Sequence, residues 1–379
     1  MMDHEKAWRN ANRMLCVRLE SFGDVLMTTP ALRALKEDRP ERKITLLTSR
    51  SAAEIAPLIR EVDETIPYDA AWIKATQPSA NSEAEFQVIQ RLHGEEFDAA
   101  VIFTAFNQNP LPAAMLAYLA GIPLCLAYCR ENPYQLLTDW VPETDHFGLP
   151  TIRHEVRRQL DLVASIARRP VDERLSLDVL PESVGEALMI LKEIDLDLSK
   201  PWLIMHPGAS ASSRRYPAES FAEAAQELAA VHSFQVLFTG SQAEARLIEG
   251  IRAHMQADSF SLAGKLDLRE LAALIFLAPL FISNNAGPVH IAAAVQTPVV
   301  DLYALTNPQH TPWMVPHRIL YQDVPCKFCY KSVCPLGHHN CLRQVPPQSV
   351  VDAALNLLEE SQFSLDMGTL EYSSASRDS

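Results

Sequence analysis

Short apolar runs alternate along this chain with segments of helical period, and the alternation runs through twice. Residues 14–19 (MLCVRL) form the first run, after which Val25, Leu26, Leu32 and Leu35 recur at helical spacing. The pattern continues with a strand at 44–47, a helix at 52–59, a strand at 97–103, a helix at 111–119 and a strand at 124–127. Strands that alternate with helices build parallel βαβ units, with helices covering both faces of the sheet. A loop-rich stretch at 130–150 and a helix at 153–167 lead through Arg168, Arg169 and Pro170 to residues 175–180, where the sequence predicts a domain boundary. A helix at 182–194 and Pro201 open the second series. It comprises strands at 202–205, 235–238, 260–262, 280–283 and 299–303, with helices at 218–231, 243–254, 268–277 and from 288 onward. A last amphipathic helix is expected at 349–358.

The expected division is an N-terminal extension at 1–13, a first Rossmann-like lobe at 14–178, a second at 179–360 and a polar, flexible tail at 361–379. Length agrees, because 379 residues exceed the roughly 250–300 at which one hydrophobic core stops growing. With 48% hydrophobic and 21% charged residues there is apolar material for two cores. A formal charge of −14 speaks against a nucleic-acid partner, whose phosphates draw on Lys and Arg. Asp3, His4, Glu5, Lys6, Arg9 and Arg13 interrupt any apolar leader, and the longest apolar run, 271–282, is broken by Pro279. The expected location is therefore cytoplasmic, with at most a peripheral visit to the inner face of the inner membrane. Seven cysteines, an odd number, do not make a secreted disulfide framework.

In open α/β sheets, ligands bind beyond the carboxyl ends of the strands, where loops deliver backbone N–H groups and helix N-termini. Three such loops carry unusual residues. Ser21, Phe22, Gly23 and Asp24 follow the first strand. One glycine stands where a dinucleotide fingerprint needs three, so an NAD-dependent oxidoreductase is poorly supported. Asp24 reads either as an N-cap or as a general base that takes the proton of an attacking hydroxyl. His206, Pro207, Gly208, Ala209 and Ser210 leave a second-lobe strand and lead to Arg214 and Arg215. Small residues there let amides approach a diphosphate with Arg214 as counter-charge, although paired surface arginines are often simply solvated. Ser283, Asn284, Asn285, Ala286, Gly287, Pro288, Val289 and His290 end another strand. Gly287 allows close approach and Pro288 suits a first helical position, which leaves a positive helix end toward an anion; His290 reads equally as packing or contact.

Taken together, the strings RLESFGDVLMTTPALRALKEDRP, HPGASASSRRYPAESF, TGSQAEARLI and ISNNAGPVHIAAAVQTPVV resemble the signature segments of glycosyltransferase family 9, the ADP-heptose:lipopolysaccharide heptosyltransferases. They stand in the family's order across residues 14–358, nearly the whole chain. The resemblance implies a GT-B architecture: two Rossmann-like lobes with parallel sheets facing a central cleft, the acceptor on the N-terminal lobe and the nucleotide sugar on the C-terminal lobe. It implies inversion of configuration, with no metal or other cofactor required for catalysis. Asp24 matches the family's base, Arg214 stands where a basic residue contacts the donor phosphates, and Glu244 matches an acid near the donor ribose. The bland reading of Glu244 is a first-turn acid favouring its helix. One departure is that the family commonly shows Asn-Asp-Thr-Gly-Pro where this chain has Asn284, Asn285, Ala286, Gly287 and Pro288. An amide replaces a carboxylate, and a hydroxyl is lost.

Cys326, Cys329, Cys334 and Cys341 lie within sixteen residues, with His338 and His339 nearby. The spacing allows a structural zinc or iron site or, equally, reduced thiols held by packing. The expected partners are a nucleotide diphosphate sugar, ADP-heptose first, and a glycan, glycolipid or protein acceptor. The expected activity builds a surface glycan such as lipopolysaccharide core. The alternatives are a nucleotide-sugar-binding protein with reduced or no turnover, and a heptosyltransferase that modifies protein.

Overall fold

The computed structural model describes residues 2–74, 76, 81–144 and 152–375, the last fourteen of them by backbone alone. Residues 145–150 of the expected loop and 376–379 of the expected tail lie outside the described residues. The chain divides into two compact units, Met1–Asp178 and Val179–Ser379.

In the first unit, helix α1 (Met2–Asn10) precedes strand β1 (Arg13–Arg18), helix α2 (Phe22–Asp38), strand β2 (Lys43–Thr48), the short helix α3 (Arg50–Ala53) and strand β3 (Glu64–Pro67). Helix α4 (Glu83–Gly94), strand β4 (Ala99–Ile102), helix α5 (Leu111–Leu119), strands β5 (Leu124–Cys129) and β6 (Asp139–Pro142) and helix α6 (Glu155–Val163) complete it. The six strands pair in the order β3-β2-β1-β4-β5-β6, all parallel. Strand β1 lies inside the sheet, which is why Met14, Leu15, Cys16 and Val17 are all buried although successive side chains point to opposite faces. Each large apolar side chain buried this way contributes about 1.5–3 kcal/mol.

The second unit carries helix α7 (Pro181–Glu193), strand β7 (Trp202–His206), helix α8 (Ala218–Ala230), strand β8 (Gln235–Phe238), helix α9 (Ala245–Ala253) and strand β9 (Phe260–Ser261). Helix α10 (Leu268–Leu277), strand β10 (Phe281–Asn284), helix α11 (Gly287–Ala294), strands β11 (Val299–Leu302) and β12 (His317–Leu320), and helices α12 (Asn340–Arg343) and α13 (Pro347–Ala375) follow. Its strand order, β12-β11-β10-β7-β8-β9, repeats that of the first unit. Its core joins Leu203, Met205, Phe221, Phe238, Ile282 and Leu302 to Val350 and Leu357 of α13.

Several elements differ from the sequence reading. Residues 2–10 are a helix and not a bare extension: Trp8 is buried and its Nε1 donates to Asp139 Oδ2 at 2.8 Å. Residues 170–178, which the sequence reading placed in the first lobe, do stay with that unit, where Arg33 Nη1 donates to the carbonyls of Asp172 and Arg174 at 2.7 and 2.8 Å. The last helix passes Leu358 and reaches Ala375, so the backbone of 361–375 is helical where a flexible tail is predicted. No proline interrupts it after Pro347, and the single Gly368 costs such a helix only about 1 kcal/mol. Among the described residues no helix is long and apolar enough to cross a membrane.

Candidate functional site

In each unit the chain winds first to one side of the sheet and then to the other, so the strand order reverses next to the first strand. In the first unit the reversal falls between β1 and β4, and in the second between β7 and β10. Ligands of open α/β sheets bind beyond the carboxyl ends at such points.

Beyond β1, Ser21 is the N-cap of α2 and Asp24 is its third helical residue, not the cap itself as the sequence suggested. The pair forms a capping box, with Ser21 N–H and Oγ donating to Asp24 Oδ2 at 3.1 and 2.6 Å. Gly23 is buried in the same turn. The other carboxylate oxygen, Asp24 Oδ1, accepts from Arg18 Nη2 at 3.1 Å. Arg18 is fully buried, and the same nitrogen donates to Glu155 Oε1 at 3.0 Å while Nε stands 3.3 Å from Glu20 Oε2. Burial works against the Arg18 charge, but Glu20, Glu155 and Asp24 together outweigh it. Burial pushes the Glu20 carboxyl up; Arg18 opposes this, and the neighbouring Asp24 adds to it. Glu20 Oε1 meanwhile accepts from the N–H of Ala105 at 2.8 Å, which ties the loop after β1 to the loop after β4.

The network extends outward. Arg158 donates to Glu143 Oε2 at 2.6 Å and lies over the Tyr128 ring at 4.6 Å, while Gln159 Nε2 donates to Glu155 Oε1 at 2.6 Å. Beside it a polar cavity of about 110 Å³ opens among Asn107, Asn109, Arg130, Glu131, Glu143 and Arg158. Arg130 stacks on Phe106 at 4.7 Å and donates to its carbonyl at 2.6 Å. Sequence reasoning found Asp24 and missed Arg18, Glu20 and Glu155. The available signal was a charge inside the apolar run MLCVRL.

In the second unit, His206 ends β7, buried, with Nδ1 3.1 Å from Thr239 Oγ1. Burial pulls its pKa down, and Glu244 opposes that. Glu244 belongs to a capping box, accepting from Ser241 N–H and Oγ at 2.8 Å each through Oε2. Its other oxygen leans over Gly208, where an added Cβ would meet Oε1 at 2.1 Å. The acid thus ties its own turn at 241–244 to the loop at 206–210 and is not merely a helix-start charge. Arg214 closes the short turn Ser212–Arg214 and reaches Ser210 Oγ at 3.4 Å, while Arg215 Nε donates to the Ala209 carbonyl at 2.8 Å. Among the described residues neither arginine has a carboxylate partner.

Asn284 ties the two central loops together: its Nδ2 donates to the Pro207 carbonyl at 2.6 Å and its Oδ1 accepts from Tyr216 N–H at 2.9 Å. Asn285 donates from Nδ2 to the His310 carbonyl at 3.0 Å. Ala286 is the N-cap of α11 and provides no side-chain cap, so Gly287 and Pro288 start a helix whose positive end is open. His290 is buried one turn in. The structure therefore brings residues 206, 208, 214, 215, 244 and 285–288 to one end of one sheet.

The cysteines are arranged differently from the spacing argument. Cys326 Sγ lies 3.6 Å from His338 Nε2, and Cys341 packs against the apolar core. Burial would raise the Cys334 thiol, but backbone N–H groups of His339, Leu336, Gly337 and His338 outweigh it and hold the thiol below its ordinary value. Among the described residues no group of three potential ligands stands in position to hold an ion, while burial and then the nearby Cys334, Cys326 and Cys329 raise the Cys341 thiol. The loop instead supports the arginine turn: Ser213 N–H and Oγ donate to the carbonyls of Ser332 and Lys331 at 3.1 and 2.8 Å.

Residues 86–340 match the sequence pattern of glycosyltransferase family 9 (heptosyltransferase). The chain belongs to this family. Lipopolysaccharide heptosyltransferase 2 of Salmonella typhimurium is 26% identical over 359 residues, 92% of this chain and 99% of the relative. The fold matches a family 9 glycosyltransferase from Veillonella parvula with a TM-score of 0.78 at 20% identity, covering 92% of this chain and 98% of the other. It also matches the ADP-heptose lipopolysaccharide heptosyltransferase II of E. coli, with a TM-score of 0.73 at 23% identity over 92% and 99% of the two chains. The family 9 chain is thus a glycosyltransferase with two parallel α/β units, the pair of units that makes up the GT-B class.

The close approach at Gly208 gives the family 9 protein a direct test of its second-unit loops. Gly208→Ala must displace the Glu244 carboxylate from over the loop. That carboxylate is the far end of a flexible side chain, so stability is expected to fall by only about 1 kcal/mol, the worth of a cap. The Kd for ADP, the nucleotide proposed below for this loop, is expected to rise about tenfold in calorimetry as the loop's polar contacts are lost.

Proposed function

We propose that this chain is an inverting, metal-independent heptosyltransferase that moves heptose from ADP-heptose to an acceptor hydroxyl of lipopolysaccharide core. The observation that carries the reading is Asp24, one oxygen fixed by the helix cap and the other by the buried Arg18. A carboxylate held this firmly beyond the carboxyl end of β1 suits a general base. In the reaction the acceptor oxygen forms a bond to the anomeric carbon, the bond from that carbon to the diphosphate breaks, and its electron pair leaves with ADP. Asp24 receives the acceptor's proton. Negative charge grows on the departing diphosphate, and the open start of α11 together with Arg214 would meet it with fixed dipoles and a guanidinium. Glu244, with Oε1 over Gly208, would accept from a ribose hydroxyl, and the polar cavity beside Arg130 suits the polar end of the acceptor.

The names of the relatives support the sugar and the acceptor: lipopolysaccharide heptosyltransferase 2 in Salmonella, and an ADP-heptose lipopolysaccharide heptosyltransferase in E. coli. The test is incubation with ADP-heptose and lipopolysaccharide whose core ends before the heptose, read by mass spectrometry. One added heptose per core, with ADP released in equal amount, is the expected result. ADP release without any modified acceptor, or modification of a protein in place of the glycan, would overturn the acceptor assignment.

A further inference from the structure

The proposed reaction asks nothing of Glu155, yet this acid is tied to the reacting carboxylate through a single nitrogen. Arg18 Nη2 donates to Asp24 Oδ1 at 3.1 Å and to Glu155 Oε1 at 3.0 Å. Arg18 and Glu155 have no exposed side-chain surface, and Asp24 keeps 13% of its own. Glu155 opens α6, where Gln159 Nε2 donates to the same Oε1 at 2.6 Å and Arg158 Nη1 stands 3.7 Å from it. Donors from three side chains thus gather on one carboxylate oxygen, a charge-assisted arrangement. Glu20 is less well placed as a partner of Arg18. Its Oε2 lies 3.3 Å from Arg18 Nε without the geometry of a hydrogen bond, and burial pushes its carboxyl up. A general base must change charge, and Asp24 starts the reaction as a carboxylate and ends it neutral. A buried arginine paired with Asp24 alone would at that moment become an unpaired cation away from water, which is strongly unfavourable. With Glu155 on the same nitrogen the guanidinium stays paired throughout.

We propose that Glu155 is the standing counter-ion of Arg18, a positioning residue that keeps the guanidinium paired and aimed at Asp24 while Asp24 takes the acceptor's proton. The proposal deepens the reading of Asp24 as the base and rests on it. With Glu155 in place, Arg18 holds the Asp24 oxygen without spending its whole charge there. With Glu155 neutralised, more of that charge falls on Asp24, which then stays ionised to lower pH and accepts a proton less readily. Asp24 faces Arg18 from β1 and Glu20 from the loop after it, and α6 brings Glu155 and Arg158 up behind Arg18. His154, the N-cap of α6, accepts the Val156 N–H through Nδ1 at 3.2 Å.

The test is the pH dependence of kcat/KM, read as ADP release from ADP-heptose with core-truncated lipopolysaccharide, in wild type, Glu155→Gln, Glu155→Asp and Glu20→Gln. In Glu155→Gln the acid limb, where the base gains its proton, is expected to move about one pH unit lower. Its kcat on the plateau should fall several-fold, as a weaker base requires, while the Kd for ADP stays at the wild-type value. A purely structural role would lower the plateau and leave the limb in place. Glu155→Asp keeps the charge and should keep the limb near wild type, even where its shorter reach lowers the thermal midpoint. Glu155→Met, uncharged and of similar length, should move the limb at least as far as Glu155→Gln, so the reading does not hang on the folding of one variant. A limb that stays put or moves to higher pH in the uncharged variants, or that moves equally in Glu155→Asp, would overturn the proposal. A larger movement in Glu20→Gln than in Glu155→Gln would overturn it too, by giving the role to Glu20. Asp24→Asn separates the two levels. A wild-type rate in that variant would remove Asp24 as the base and the proposal with it, whereas a lost rate beside an unmoved limb in Glu155→Gln would remove the counter-ion alone.

Discussion

Asp24→Asn is expected to lower kcat by about 10²–10⁴-fold and leave the donor KM nearly unchanged. The substitution keeps the shape of the side chain and an oxygen that can accept from Ser21, so the helix cap survives. Arg18 loses one of its carboxylates and retains Glu20 and Glu155. What disappears is the ability to take a proton, and that is needed only as the acceptor oxygen attacks. An interaction made only in the transition state lowers kcat and kcat/KM together. Steady-state kinetics of ADP release with and without acceptor provide the check, and a loss smaller than about tenfold would assign the base elsewhere.

Arg18→Met is expected to have the largest effect on stability. Arg18 has no exposed surface and answers Asp24, Glu155 and Glu20 at 3.1, 3.0 and 3.3 Å. Removing the cation leaves these carboxyl groups facing one another, two of them barely exposed and one fully buried. Breaking a buried ion pair from one side costs about 3–5 kcal/mol, because the remaining charges keep their desolvation without compensation. For a unit of this size that corresponds to a fall in thermal midpoint of roughly 6–20 °C. Scanning calorimetry would show it, and Glu155→Gln in the Arg18→Met background should recover part of it by removing one buried charge. An unchanged midpoint for Arg18→Met would mean that the carboxylates do not depend on the arginine.

The same residues show how far the sequence alone reaches. Interior strands such as β1 and β10 were legible because a parallel strand buried on both faces must be a continuous apolar run. The edge strands β3 and β12 were not: β3 reads Glu-Thr-Ile-Pro, and every residue of β12 is only half-buried. Helix α1 escaped detection because its amphipathic signal is a single buried tryptophan among charged residues. The loops at 206–210 and 283–290 were legible as strand-to-helix turns, since glycine permits a close turn and proline suits the first turn of a helix. The placement of Asp24 was one step off: Ser21 with an acid three residues later is a capping box, which puts the carboxylate inside the first turn.

The charged network could not be read from order along the chain. Arg18 and Glu155 are 137 residues apart and meet because β1 and α6 come together at the same end of the sheet. Sequence shows that a charge interrupts an apolar strand; only the fold supplies its partner. The cysteines illustrate the converse: close spacing in sequence left no group of three ligands in position to hold an ion among the described residues.

In the proposed reaction the proton goes to the first unit and the nucleotide binds the second, and a titration of ADP into three proteins tests that assignment most directly. Wild type and Asp24→Asn are predicted to bind ADP with the same Kd, and Gly208→Ala about tenfold more weakly. If Asp24→Asn weakened ADP as much as Gly208→Ala does, or if wild type took up no ADP at all, the assignment would be contradicted.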